Sequence, residues 1–241
     1  MKIALVAEQA HQLAPAGSSR TGRGCAAARS SADAGRQAVP LPALARTLAG
    51  FGHKVTIYAR KDAAALPARA KLSADVTVEH LPAGPAAQLP AEEVLTHMAA
   101  FSGQLERRWR KDAPDIVHAH FWTGGLAALA ATRDLRVPVV QTFHSLGTAE
   151  QRHYGELAAG PRARLRLEAL IGRSVRAVLA TSSAEMSELT RLGVPRSAVR
   201  VVPYGVDTAE FLPDGPVARR SARPRLLAVA PLTERSGLAG L

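Results

Sequence analysis

Residues 115–143 read DIVHAHFWTGGLAALAATRDLRVPVVQTF. A short apolar run, Ile116–His118, gives way to a helical pattern of small residues, Gly124–Asp134, and then to a second β-rich run, Pro138–Phe143. Strand-like runs alternating with helical ones argue for a parallel sheet covered by helices. The alternation continues in both directions. Upstream lie the candidate strands Lys2–Ala7, Lys54–Ala59 and Asp75–His80, and downstream Ala177–Thr181 and Val199–Val202. Each is short and mostly apolar or β-branched, as strands buried on both faces should be. The intervening helices are predicted over Leu41–Gly50, Ala91–Lys111, Arg162–Arg173 and Ala184–Leu192. Gly50 and Gly52 stop the first helix, and Gly193 with Pro195 the last. The expected fold class is α/β, a doubly wound, mostly parallel, Rossmann-like sheet.

Two stretches break this rhythm. Gly17–Arg36 is small, polar and basic without an apolar period, so a mobile basic loop is expected over 17–36. Pro213–Pro224 reads PDGPVARRSARP, an interdomain linker in composition. The organisation expected is therefore a domain over 1–215, a linker over 216–224, and the start of another domain over 225–241, where Arg225–Ala230 resembles a fresh strand.

Composition narrows the function. Hydrophobic residues make up 47% and mean hydropathy is −0.01, as in soluble globular proteins. No run reaches the roughly 18 apolar residues a membrane span requires. The opening apolar run, Ile3–Ala7, is too short for the core of a secretory signal. Cys25 is the single cysteine, so no internal disulfide forms, and the expected location is cytoplasmic. A net charge of +11 suits anionic partners: phosphorylated substrates or peripheral contact with an anionic membrane. Nucleic acid is not expected, because the arginines are scattered and the aromatics, at 4%, do not interleave with them.

Two glycine segments invite an anion-site reading. Gly22 to Ala27 fits a loose G-x-G-x-x-A, yet no strand feeds it and no acidic residue follows at the right distance, so dinucleotide binding is rejected. Ala34-Gly35-Arg36-Gln37 opens the first long helix, where free N–H groups and the helix dipole favour an anion. An ordinary flexible turn is the alternative there.

Five segments, in order, resemble glycosyltransferase family 4, the retaining enzymes with the two-Rossmann GT-B fold. DIVHAHFWTGG (115–125) resembles its D-(I/V)-(I/V)-H-x-H-x-W-x-(S/T)-G segment, and PVVQTFHSLG (138–147) its P-x-V-x-T-x-H-x-L-G strand and loop. ATSSAE (180–185), VPYGVDTAEFLP (202–213) and AGRQAVPLPALARTLAGFGHKVTIYARKD (34–62) resemble three more. The sucrose-phosphate-synthase-like and mycothiol-glycosyltransferase-like members are nearest in pattern. The resemblance implies a nucleotide-diphosphate sugar as co-substrate, a small or phosphorylated acceptor, and no metal or other cofactor. It places His144 against the donor sugar and its leaving phosphate, as the catalytic candidate. Gly35, Arg36 and Gln37 form the acceptor or phosphate loop. His120, Trp122 and Glu168 are cleft candidates, with packing the rival role for Trp122 and a solvated helix face the rival for Glu168. His118 and His120, alternating along a strand end, are expected on opposite faces, one structural and the other towards the cleft, so metal binding by the pair is discounted.

The departures from the family pattern are specific. Arg36 and Ala38 stand where the family has glycine and asparagine. In LLAVAPLTERSG (226–237), Pro231 and Ser236 stand where the family places the arginine and lysine that grip the donor diphosphate. The resemblance covers the acceptor-side half only, so the expected function is the catalytically incomplete half of a nucleotide-sugar glycosyltransferase. A non-catalytic basic binding module is one alternative. The other is half of a split enzyme completed by a separate donor domain.

Overall fold

A computed structural model describes residues 1–9, 41–154, 163–206, 208, 212 and 214. Met1–Val202 form one compact unit and Pro203–Leu241 another. The first unit holds an eight-stranded sheet in the order β3-β4-β2-β1-β5-β6-β7-β8. Its strands are β1 (Lys2–Gln9), β2 (Lys54–Arg60), β3 (Arg69–Ser73), β4 (Val76–Leu81), β5 (Ile116–His120), β6 (Val139–Thr142), β7 (Ala177–Ala180) and β8 (Val199–Val201). All neighbours pair in parallel except β3, which runs antiparallel to β4 at one edge. Strand order reverses at β1, which lies between β2 and β5. Such a switch point opens a crevice beyond the C-terminal strand ends.

Helices cover the sheet: α1 (Leu41–Gly50), α2 (Ala91–Thr96), α3 (Met98–Trp109), α4 (Phe121–Thr132), α5 (Gly147–Tyr154), α6 (Arg164–Ser174) and α7 (Ser183–Arg191). The two faces of β1 explain the packing. Ala4 and Val6 join Val117, Ala119, Phe101, Trp109 and Ala128 in the larger core cluster. Ile3, Leu5 and Ala7 alternate with them and join Leu41, Ala45, Val55 and Ile57 on the opposite face. Strands so covered on both sides read as continuous apolar runs, which is why the alternation was visible.

Three features differ from expectation. The helix predicted over Ala91–Lys111 divides at His97, with φ of −98° and ψ of −3°, into α2 and α3. The ring of His97 packs on Gly84, where an added Cβ would lie 2.5 Å from it. Strand β5 continues to His120, so α4 begins at Phe121 rather than at Gly124. Strand β3 and helix α5 are additional elements. Among the described residues no helix is long and apolar enough to cross a membrane. The expected basic loop over 17–36 and linker over 216–224, with residues 225–241, lie outside the described residues.

Candidate active site

The C-terminal ends of β5 and β6 bring three histidines together. Residues two apart on a strand share a face, so His118 and His120 point the same way, with ring centroids 4.1 Å apart. The expectation that they face opposite sides is thus overturned by the period-two geometry of the strand itself. His118 pairs laterally with Leu5, on the face that α1 covers. Its Nε2 meets Thr142 Oγ1 at 2.8 Å. His120 Nδ1 meets His144 Nε2 at 2.9 Å, the two rings lying nearly parallel.

Two non-glycine residues here adopt left-handed backbone, Phe121 with φ of 59° and His144 with φ of 64°. Each follows the end of a neighbouring strand, and their rings lie 4.8 Å apart. This conformation costs roughly 1–2 kcal/mol per residue and persists only where the surroundings fix it. At Phe121 the fixing group is Gln141, which is fully buried and donates from Nε2 to the Phe121 carbonyl at 3.0 Å. Gly125 makes room for that amide, since a Cβ there would sit 2.3 Å from Gln141 Oε1.

Burial sets the charge state. Desolvation pushes His118 down to about 4 and His144, with His118 beside it, down to about 3. Desolvation first and then the neighbouring imidazoles hold His120 well below the ordinary histidine value. All three are neutral at pH 7. His120 Nε2 is buried with no hydrogen-bond partner among the described residues. The two neutral rings share the His120 Nδ1–His144 Nε2 hydrogen bond, one donating and the other accepting according to tautomer.

Charged groups complete the edge at the ends of β1 and β2. Glu8 is 2% exposed and one carboxylate oxygen has no partner among the described residues. Arg60 is equally buried and donates to the carbonyls of Pro85 (2.7 Å) and Ala87 (2.5 Å). Burial lowers the Arg60 pKa, opposed by Asp62 and Glu8. These residues were missed as site candidates, although a carboxylate directly closing an apolar strand run was the available signal for Glu8.

The other candidates separate. Trp122 is 5% exposed and packs inside the larger core cluster, away from the edge. Glu168 is fully buried, which corrects the expectation of a solvated helix face. Its carboxylate receives Arg164 Nε at 2.7 Å and the Gly147 amide at 2.9 Å, behind the His144 turn. Gly35, Arg36 and Gln37 lie outside the described residues. No group of three histidine, cysteine or acidic side chains among the described residues is placed to hold a metal ion. A cavity of about 420 Å³ lies instead at the opposite, N-terminal end of the strands. It is lined by Lys2, Lys54, Arg69 and Lys71 among others. Those on β3 are the charges that keep an open sheet edge from pairing with another chain.

Comparison with known proteins agrees with this fold. Glycosyltransferase Family 4 matches residues 42–210. D-inositol 3-phosphate glycosyltransferase of Nocardiopsis dassonvillei is 32% identical over 202 residues, 80% of this chain and 46% of the relative. The Frankia alni protein of the same description is 32% identical over 197 residues, 78% of this chain and 48% of the relative. The chain thus spans about half the length of the curated relatives it matches. Among solved structures, sucrose-phosphate synthase from Thermosynechococcus elongatus superposes with a TM-score of 0.73 at 24% identity, covering 88% of this chain and 50% of that one. Anabaena HepE in complex with UDP-glucose superposes with a TM-score of 0.53 at 15% identity, covering 87% and 45%.

Proposed function

Since the chain belongs to glycosyltransferase family 4, we propose that it is the acceptor-side half of a retaining, nucleotide-sugar-dependent glycosyltransferase. Its acceptor is a small phosphorylated polyol, and the sugar passes across the C-terminal edge of the sheet. The observation that carries this reading is the neutral His120–His144 pair at the ends of β5 and β6, beside the switch point. A histidine with a pKa of about 3 is unprotonated at pH 7, so His144 does not serve as a general acid. It acts as a fixed, neutral hydrogen-bonding group towards a sugar hydroxyl or an oxygen of the departing phosphate. Such a preorganised dipole needs no reorganisation as charge develops.

The acceptor class is supported by two facts. The relatives in the comparison are described as acting on inositol 3-phosphate, and this chain carries a net charge of +11. The donor class is supported by the UDP-glucose bound in HepE. Gly35, Arg36 and Gln37, at the entry to α1, would receive the acceptor phosphate. Pro231 and Ser236 stand where the family places its diphosphate-gripping charges, so this chain is expected to hold a nucleotide weakly.

Isothermal titration of the chain with inositol 3-phosphate, UDP, UDP-glucose and GDP-mannose tests the assignment. Saturable binding of the phosphorylated polyol, lost in His144→Ala, with nucleotides far weaker, is the expected result. Tight binding of one nucleotide with none of the polyol would overturn the acceptor-side assignment.

A further inference from the structure

Helix α3 covers its face of the sheet only in part. Phe101, Leu105 and Trp109 pack with Ala4, Val6 and Tyr58 in the larger core cluster, and the Trp109 ring meets Tyr58 edge-on at 5.8 Å. The helix ends there. The cavity of about 420 Å³ opens on the stretch beyond, and among the described residues no helix residue lines it. Strand register fixes its floor and walls, because laterally paired residues share a face of the sheet. Ala4, Thr56, Thr77 and Lys71 form one row across β1, β2, β4 and β3. Lys2 and Lys54 stand on the same face at the N-terminal end, and Arg69 on the same face of β3.

The charges around this groove are unevenly matched. Asp112 holds Lys2, and Arg108 meets Glu79 at 2.9 Å. Lys54, Arg69 and Lys71 are exposed and form no ion pair among the described residues. Asp75 is the one other acid on the described lining, so an excess of positive charge remains. Guarding the open edge accounts for the two cations on β3, but not for Lys54, which stands two strands further in. Nor does it account for a floor of half-buried threonines. Ammonium and guanidinium groups around hydroxyls are the donor set of a phosphate: the cations meet its charge, and its oxygens accept from the threonines. A cavity of this size takes a small molecule.

We infer that this groove is a second anion site, for a small phosphorylated molecule. Lys54, Lys71 and Arg69 meet the phosphate charge, and Thr56 and Thr77 donate to its oxygens. The site lies at the opposite end of the strands from the His120–His144 pair and does not rest on the reading of that pair.

Titration of the 15N-labelled full chain with inorganic pyrophosphate, against sodium chloride at equal ionic strength, tests this by amide shifts. Saturable shifts at Thr56, Thr77 and Lys71 that chloride does not reproduce are the expected result. Lys54→Gln and Lys71→Gln, both at exposed positions, should each weaken binding by about tenfold. Thr77→Val should weaken it as well, while Arg191→Gln, on an exposed pair with Glu188, should leave it unchanged. His144→Ala should also leave it unchanged. Shifts that chloride reproduces would mean ordinary solvated charges and overturn the inference. Shifts confined to the ends of β5 and β6, surviving both lysine variants, would overturn it too. Binding in the groove by a chain that takes up no phosphorylated polyol would uphold this site while removing the function proposed for His144.

Discussion

His120 Nδ1 and His144 Nε2 lie 2.9 Å apart, joining the residue that ends β5 to the residue two beyond the end of β6. The register that pairs His120 with Thr142 brings them together. The left-handed backbone at His144 then turns its ring back over the strand ends rather than away from them. One hydrogen bond therefore reports on strand register, on backbone strain and on protonation at once.

Acid should undo this arrangement early. In the unfolded chain each histidine titrates near 6.5, but in the fold His118 does so at about 4 and His144 at about 3. Between those values the unfolded chain binds more protons, so stability is fully present above pH 6.5 and is lost as pH falls through that window. Each histidine should cost about 2 kcal/mol between pH 7.5 and pH 5. Urea unfolding at several pH values measures the slope. A free energy that stays flat from pH 7.5 to 5 would show that the imidazoles are not buried as neutral groups.

Gly125→Ala is expected to destabilise the protein by about 1–3 kcal/mol. The new methyl would meet Gln141 Oε1 at 2.3 Å and Ile171 at 3.0 Å. Moving Gln141 also releases the Phe121 carbonyl, so the strained residue loses its support. The matching change at Gly103, where nothing lies within 4 Å, should instead be neutral or mildly stabilising. Equal urea midpoints for the two variants would contradict the packing around Gln141.

The sheet was legible in the sequence because most of its strands are buried on both faces and read as apolar runs. Strand β3, RAKLS, was not, because an edge strand with exposed Arg69 and half-buried neighbours has no such run. Helix α5, GTAEQRHY, carries little apolar period to detect. The family motifs singled out His144 and His120, and the structure brings their rings together at the strand ends. The burial of Arg164 and Glu168 was not legible. They stand four apart on a helix, the spacing of an ordinary solvated pair, and only the tertiary position of the 144–147 turn shows that both are buried. Trp122 lies two residues past His120 in a motif, yet the turn into α4 sends it to the core.

Glu185→Ala should cost about 1–2 kcal/mol, more than an exposed helix residue ordinarily does. Ser182 Oγ accepts the Glu185 amide at 3.1 Å, while Glu185 Oε2 accepts both the amide and the hydroxyl of Thr181 at 2.7 Å. This reciprocal cap ties the end of β7 to the start of α7, which is the physical content of the ATSSAE segment. Glu185→Gln keeps an acceptor for Thr181 and should lose less than half as much. A larger loss for glutamine than for alanine in thermal unfolding would rule out the capping account.

Substitutions at position 144 separate what its backbone contributes from what its ring contributes. Glycine and asparagine tolerate the left-handed conformation, whereas alanine resists it and a β-branched residue resists it more. The crevice sees none of this, because all four replacements remove the imidazole. The expected order of stability is therefore Gly and Asn above Ala, and Ala above Val, spanning roughly 1–2 kcal/mol. All four variants should lose polyol binding alike. Should stability instead follow side-chain size, with Val above Gly, the packing of residue 144 would outweigh its φ of 64°. Binding that tracked stability across the series would show that the turn rather than the imidazole recognises the ligand.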